Sequence, residues 1–275
     1  MTTNPQLGYI KALDGSPLYA AYHPAAEIKN AASRLFPVVI APPLFEERKG
    51  GYAPLRRLAL KLAAAGHAVM RFDYRGSGES GGNPAQRRWQ HLAEDIAVVR
   101  KTLARLSGKR DSVLVGLRLG GTLALQETLR AGGEGVVALA PIVKGAGQVR
   151  LWTMRSKIRA ELTTANASEN GPRTDTGRQD ARGILDFDGY DVHPTFFEDV
   201  AKIDLAQNLA RLSCSGLLMQ LSHRAEAAPE MEQLVSVLGS RTTLKCVRME
   251  PFWDKLDDVD TAPLDAEVLE AVAAF

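Results

Sequence analysis

The 275-residue chain lacks several features that would place it in a specialised class. Its two cysteines, Cys214 and Cys246, are too few for a disulfide framework and do not form a C-x-x-C motif. No stretch approaches the roughly eighteen apolar residues of a membrane-spanning helix. The first residues, MTTNPQLGYI, show neither the basic nor the apolar region of a signal peptide. We therefore expect a cytoplasmic protein with reduced cysteines and without a transmembrane segment.

Concentrated charge and metal-ligand clusters are missing as well. The net charge is only +2, whereas nucleic-acid-binding domains usually carry concentrated basic surface. The His, Cys, Asp and Glu residues do not show the spacing of a metal site, and the segment GLRLGG lacks the pattern of a nucleotide-binding loop. We expect no nucleic-acid partner, no metal and no cofactor. With 45% hydrophobic residues, a chain of this length can bury one large core.

The most informative stretch is SVLVGLRLGGTLALQETL, residues 112–129. An apolar run predicts a strand, the glycine-flanked centre a tight turn, and the leucine pattern after it an amphipathic helix. The spacing matches the G-x-S-x-G nucleophile elbow, in which glycines allow a sharp turn between a strand and a helix. Arg118 occupies the point of this turn. Because a guanidinium stays protonated in proteins, it cannot serve as the nucleophile.

Three sequence blocks in a fixed order resemble the α/β-hydrolase superfamily, on the branch of serine aminopeptidases and monoacylglycerol-lipase-like esterases. They are FPVVIAPPL at 36–44, RFDYRGSGES at 71–80, and the elbow. The resemblance implies a mostly parallel central sheet with helices on both faces and a helical lid. Short apolar strands that alternate with helical segments favour the same α/β class.

The regular alternation stops after the strand that Pro141 closes, and the family inserts its lid at this point. We therefore predict a core formed by residues 1–141 and 201–275, with residues 142–200 as the lid insertion. Arg155 and Arg159 lie one turn apart on the first predicted lid helix. The segment 163–182 is rich in turn-forming residues and is predicted to be a loop.

Four short segments resemble a narrower group of hydrolase-like proteins, which are associated with bacterial exosortase and exopolysaccharide gene neighbourhoods. These segments are PPLFEE, GLRLGG, the DGY that includes Gly189, and the PFW that ends at Trp253. This resemblance implies an accessory role in the export of polysaccharides or surface proteins.

The loop after the first block departs from the family pattern. Family hydrolases place a His-Gly pair near Pro43 or Leu44, where backbone N–H groups face the developing oxyanion. This chain instead has Phe45, Glu46 and Glu47, and negative charge there would oppose acyl transfer. Because the elbow and this loop are neighbours in the fold, we predict an ion pair between Arg118 and one of the two glutamates.

The positions of the catalytic acid and base also differ from the family. The acid would follow the strand that ends near residue 221, where the sequence reads SHRAE, including His223 and Glu226. The base would follow the last strand, where Trp253 or a neighbour stands, and no histidine lies beyond His223. A serine-type triad needs a nucleophile, a base and a group that orients the base. The sequence therefore predicts a degenerate hydrolase.

Three functional hypotheses remain open. The Arg118–carboxylate pair would close an inactive site, or Arg118 would receive an anionic or carbohydrate-linked ligand. Alternatively, an active hydrolase of acyl esters would use Glu46 or Glu47 with His223 to activate a water molecule, provided that they share one cavity. The ligand pocket is expected to include Leu44, Phe45, Leu119 and Trp253. The sequence does not assign an oligomeric state.

Overall fold

A computed structural model describes residues 4–27, 35–166, 180–255 and 260–275. The strands in chain order are Gln6–Lys11 (β1), Pro17–His23 (β2), Val38–Ala41 (β3), Val69–Phe72 (β4), Val113–Leu117 (β5), Gly135–Leu139 (β6), Leu185–Phe187 (β7), Tyr190–Val192 (β8), Ser215–Ser222 (β9) and Thr242–Arg248 (β10). The helices are Phe45–Ala64 (α1), Trp89–Ser107 (α2), Leu119–Ala131 (α3), Gly145–Asn166 (α4), Pro194–Ala201 (α5), Leu205–Asn208 (α6), Pro229–Leu238 (α7) and Ala262–Ala274 (α8). Two short 3-10 turns cover Pro84–Gln86 and Phe252–Asp254.

Eight strands form one central sheet in the order β1-β2-β4-β3-β5-β6-β9-β10. The β1–β2 and β2–β4 pairs are antiparallel, and the other five neighbouring pairs are parallel. The parallel register places the carboxyl ends of β3, β5, β6 and β9 at the same edge of the sheet. Side chains that follow these strands therefore meet there. This architecture confirms the predicted α/β-hydrolase fold.

The central parallel strands β3, β5, β6 and β9 are buried on both faces of the sheet. Within β3, Val38 and Ile40 pack in one hydrophobic cluster with leucines of α1 and valines of α8, whereas Val39 packs with α2 and α3 in a second cluster. The alternation follows from the two-residue period of a strand. It explains why the sequence pattern of β3 is continuously apolar rather than alternating.

Between β6 and β9 the chain forms α4, the β7–β8 hairpin, α5 and the short α6. Most of these elements fall within the predicted insertion 142–200, and its function as a lid stays a prediction. Part of the predicted loop 163–182 lies outside the described residues. Among the described residues, no helix is long and apolar enough to cross a membrane.

The prediction that Phe45, Glu46 and Glu47 lie in a loop is wrong, because α1 begins at Phe45 and places both glutamates in its first turn. The prediction failed because two adjacent glycines, Gly50 and Gly51, are typical of a loop. A Cβ atom on Gly50 would lie only 2.5 Å from the carbonyl oxygen of Lys255 and 2.6 Å from that of Phe252. This glycine therefore permits close packing of α1 against another backbone segment.

Candidate functional site

The structure has the predicted strand, sharp turn and helix around Arg118, which links β5 to α3 with φ 57° and ψ −120°. The neighbouring glycines make the turn possible. A Cβ on Gly116 would lie 2.2 Å from the carbonyl oxygen of Gly120, and a Cβ on Gly120 would lie 2.2 Å from that of Ala41. A positive φ at a residue other than glycine is strained and is common at functional sites. The elbow geometry is thus present with arginine at its point.

The Arg118 guanidinium turns into the protein and is 13% exposed. Its Nε and Nη2 atoms donate to Oε1 of Glu47 at 3.3 and 3.2 Å, and Nη2 also donates to Oε1 of Gln148 at 2.7 Å. Nη1 donates to the carbonyl oxygen of Ala140 at 3.1 Å. Within the described part of the chain, these bonds use four of its five N–H groups. The side chain is therefore held in place by α1, α4 and the end of β6.

Trp253 contacts the same guanidinium. The Arg118 Cζ atom lies 5.0 Å from the centroid of the Trp253 ring, a cation–π distance. Trp253 belongs to the 3-10 turn that follows β10, where the family resemblance places the catalytic base. The positions of nucleophile and base are therefore neighbours in space, yet they hold a cation and an aromatic ring.

The predicted ion pair forms with Glu47, and Glu46 does not take part. Glu47 is buried, and its Oε1 also accepts a hydrogen bond from Nε2 of Gln148 at 3.3 Å. Its second oxygen, Oε2, is buried and has no hydrogen-bond partner among the described residues. Glu46 is partly exposed and pairs with Lys49 at 2.8 Å. The helical rotation of one residue thus separates a buried carboxylate from a partly exposed one.

Two cavities meet at this ion pair. The elbow cavity, about 490 Å³, is lined by Arg118, Gln148, Met231, Trp253 and the segments 141–144 and 220–222. The aromatic cavity, about 450 Å³, is lined by Phe45, Glu47, Trp152, Arg155, Phe187 and Trp253, among others. Arg118 lines the first cavity and Glu47 the second, so their ion pair lies between the two.

The lining of the elbow cavity combines apolar side chains with more basic than acidic ones. Lys144, Arg118 and Arg224 line it together with a single carboxylate, Glu230. Its one hydroxyl side chain, Ser222, donates to the carbonyl oxygen of Arg224 at 3.2 Å and accepts from its N–H at the same distance. Neither a histidine nor a cysteine is among the described residues that line this cavity. It therefore lacks the nucleophile–base pair of a serine hydrolase.

Ion pairs and aromatic rings form the aromatic cavity. Arg155 binds both carboxylate oxygens of Asp254, at 2.6 and 3.0 Å, and this bond raises the pKa of Arg155. Arg159 pairs with Asp188 at 2.9 Å. These two bridges connect α4 to the segments after β10 and β7. Phe45 contacts five further rings in an aromatic cluster formed by Trp152, Phe187, Tyr190, Phe196 and Phe197.

Several predicted pocket residues lie elsewhere. His223 is exposed and is not among the residues that line either cavity, so it does not share a cavity with Glu46. Leu119 and Leu44 are fully buried in the hydrophobic core and line neither cavity. They were expected to face the ligand because they flank the elbow and the oxyanion loop, but their side chains point into the packing between sheet and helices. Phe45 and Trp253 do line cavities.

Gln148 was not predicted from the sequence, although it forms hydrogen bonds with both members of the ion pair. A pattern in α4 could have identified it, because Gln148 lies three and four residues before Leu151 and Trp152 and therefore on the same helix face. A polar residue on an otherwise apolar face often has a buried hydrogen-bond partner. Among the described residues, no group of three or more His, Cys, Asp and Glu is arranged to hold a metal ion.

The parallel sheet and the glycine-flanked elbow together define an α/β hydrolase by fold. Residues 46–181, just under half of the chain, match the family model described as serine aminopeptidase, S33. The chain therefore has the α/β-hydrolase fold, and its sequence is similar to the serine aminopeptidase family over these residues. No curated protein sequence matches the chain significantly.

Solved structures of similar fold come from different organisms. Proline iminopeptidase from Mycobacterium smegmatis is 12% identical with a TM-score of 0.63, and the alignment covers 97% of both chains. Mouse alpha/beta hydrolase domain-containing protein 10 is 14% identical with a TM-score of 0.59, covering 97% of this chain and 96% of that one. Est1E from Butyrivibrio proteoclasticus, solved with ferulic acid, is 17% identical with a TM-score of 0.58 and the same coverage. At these identities the similarity shows the fold alone.

Proposed function

We propose that this protein is a degenerate α/β hydrolase that binds a small anionic ligand in the elbow cavity and does not hydrolyse it through an acyl-enzyme. The observation that carries this proposal is the position of Arg118, which occupies the elbow point and is held there by Glu47, Gln148 and Trp253. A cation in this position cannot attack a carbonyl carbon.

The Arg118–Glu47 ion pair is also incompatible with an oxyanion hole of the usual kind. In that arrangement, backbone N–H groups stabilise the negative oxygen of the tetrahedral intermediate. Here the first turn of α1 contributes the Glu47 carboxylate, which lies against the elbow. Its negative charge is already neutralised by Arg118, so moving the arginine aside would leave an unpaired buried carboxylate at the reaction centre.

The elbow cavity favours an anion with an apolar body. Lys144 and Arg224 have no ion-pair partner among the described residues, and they add positive charge beside Arg118. Ile142, Leu221 and Met231 provide apolar surface in the same cavity. Its volume of about 490 Å³ is within the usual range for small-molecule sites. A carboxylate or phosphate attached to a compact carbon skeleton matches this combination.

The alternative, an active esterase that uses Glu46 or Glu47 with His223, has less support. A general base must come within hydrogen-bond reach of the water that it activates. His223 lines neither cavity, and Glu46, which lines the aromatic cavity, is paired with Lys49. The narrower resemblance to exosortase-associated proteins stays a prediction, and it would place the ligand in polysaccharide or surface-protein export.

Two measurements test the proposal. Fluorophosphonate labelling and turnover of short-chain acyl esters should both be absent in the purified protein. In the second measurement, D-glucuronate and hexanoate are titrated while thermal unfolding is followed, and at least one of them should raise the Tm. That increase should disappear in the double variant Lys144→Ala/Arg224→Ala and persist in Lys157→Ala, which removes an exposed cation of α4 that lines neither cavity. A fluorophosphonate adduct, or ester turnover that Glu46→Gln or His223→Ala abolishes, would contradict the proposal.

A further inference from the structure

The aromatic cavity contains a buried acceptor that lacks a donor. All hydrogen bonds to the Glu47 carboxylate go to Oε1, which accepts from Arg118 and Gln148. Oε2 is buried and has no partner among the described residues, although Glu47 lines the cavity. A buried carboxylate oxygen without a donor is costly, and nearly all such groups in proteins are hydrogen-bonded. The cavity is therefore suited to a ligand that donates an O–H or N–H group to this oxygen.

The charges around the cavity indicate that this ligand is neutral. Arg155 pairs with Asp254 and Arg159 with Asp188, while Glu47 is neutralised by Arg118. Glu46 and Lys255, at the rim, pair with Lys49 and Glu250. A charged ligand would have to break one of these pairs or remain without a counter-ion, and both alternatives are costly in a partly buried site. A neutral ligand with several donors leaves the pairs intact.

The remaining surface is aromatic. Phe45, Trp152 and Phe187 contact one another with ring centroids 5.1 to 6.4 Å apart, and Trp253 adds a fourth ring between the two cavities. Such rings pack well against the C–H face of a compact ring-shaped molecule. The volume of about 450 Å³ is suited to a ligand of one or two rings.

We propose that the aromatic cavity is a second binding site, separate from the elbow cavity, for a neutral and hydroxyl-rich ligand such as a monosaccharide or cyclic polyol. One hydroxyl group donates to Oε2 of Glu47, and the carbon face of the ligand rests on Phe187 and Trp152. No covalent step is involved. This site does not depend on the ligand of the elbow cavity, because the two cavities share only Trp253.

The experiment uses D-glucose, D-galactose and myo-inositol as neutral probes, with tryptophan fluorescence as the readout, since Trp152 and Trp253 line the cavity. At least one probe should give a saturable change. Binding should weaken about tenfold or more in Glu47→Gln, because a hydrogen bond to a charged group is lost. It should also weaken in Phe187→Ala, which keeps both charges of the Arg118–Glu47 ion pair and so tests the site if Glu47→Gln unfolds. Met154→Ala, at an exposed residue of α4 that lines neither cavity, should bind as the unmodified protein does.

Charged analogues separate this site from the elbow cavity. D-glucosamine and D-glucuronate are compared with D-glucose in the Lys144→Ala/Arg224→Ala variant, in which two cations of the elbow cavity are missing. Both should bind at least tenfold more weakly than glucose. The inference is overturned if none of the neutral probes gives a saturable response below about 100 mM, which corresponds to very weak binding. It is also overturned if glucosamine binds more tightly than glucose, or if Phe187→Ala has no effect.

Discussion

Arg118 and Trp253 lie in direct contact, with the guanidinium carbon 5.0 Å from the centre of the indole ring. One residue stands at the elbow point and the other just after the last strand of the sheet. In the family that the sequence resembles, these two positions hold the nucleophile and its base. A cation–π contact therefore connects the two positions at which proton transfer would otherwise occur.

Restoring serine at the elbow should not restore hydrolysis. In Arg118→Ser the hydroxyl would face Trp253 and Glu47 without a histidine to accept its proton, and loss of a triad member typically lowers the rate by about four orders of magnitude or more. We expect neither fluorophosphonate labelling nor ester turnover above the buffer rate. A stopped assay with p-nitrophenyl acetate measures this, with Arg118→Ala as the matched control. Turnover by the serine variant but not by the alanine variant would show that a base lies within reach.

Glu47 should contribute far more to stability than the adjacent Glu46. Glu47→Gln removes the counter-charge of the mostly buried Arg118 and is expected to lower the free energy of unfolding by about 3 kcal/mol. Glu46→Gln affects only a surface pair with Lys49 and should lower it by about 0.5 kcal/mol or less. Urea unfolding of the two variants gives the comparison. In Arg118→Met/Glu47→Gln most of the loss should be recovered, because that double variant no longer contains an unpaired charge. Equal effects of the two glutamates would contradict this account of the ion pair.

The two glycines Gly50 and Gly147 should respond in opposite directions to alanine. A Cβ on Gly50 would meet the carbonyl oxygens of Lys255, Phe252 and Trp253 at 2.5 to 2.8 Å, and backbone atoms cannot move aside easily. We expect a loss of about 2–3 kcal/mol for Gly50→Ala. Gly147 is also helical, but a Cβ there meets no atom within 4 Å, so Gly147→Ala should gain about 0.5–1 kcal/mol from the helix propensity of alanine. Thermal unfolding of the two variants tests this, with a lower Tm expected for Gly50→Ala and a higher Tm for Gly147→Ala.

Acid should destabilise the protein partly through His23. Burial, then the nearby charges of Arg71 and Arg56, lowers the pKa of His23 from 6.5 to about 4. Above pH 6.5 the ring is neutral in both states and contributes no pH dependence. Between pH 6.5 and about 4 the unfolded chain binds a proton that the folded chain does not, so stability falls as the pH falls.

The size of this effect is expected to be about 1–3 kcal/mol between pH 7 and pH 4. Denaturant unfolding at several pH values should therefore show a smaller decrease for His23→Gln than for the unmodified protein. Burial also lowers the pKa of His67, so His67→Gln should reduce the remaining slope in the same direction. If the double variant His23→Gln/His67→Gln loses stability with falling pH as steeply as the unmodified protein, other groups cause the acid sensitivity.

The sequence allowed the central elements to be predicted closely. The apolar stripe of Leu92, Ile96, Val99 and Leu103 predicts a helix at residues 90–106, which is observed at Trp89–Ser107. The glycine-containing turn at residues 14–17 predicts a hairpin, which is present as β1 and β2. Apolar periodicity is a local property, and the glycines around Arg118 exclude most other backbone conformations, so both can be interpreted without the rest of the chain. The start of α1 was not predicted, because Gly50 and Gly51 indicate a loop unless their packing partner is known.

For the candidate site, the sequence by itself determined that the elbow point holds a permanent cation and that no histidine follows His223. Only the tertiary structure decided that Glu47 and not Glu46 pairs with Arg118, that Gln148 and Trp253 complete its surroundings, and that His223 lies apart. Glu47 and Arg118 are 71 positions apart. A residue's chemistry and local conformation depend on its nearest neighbours in the chain. Contacts over such separations depend on how whole helices rotate and pack against the sheet, and no local pattern specifies that rotation.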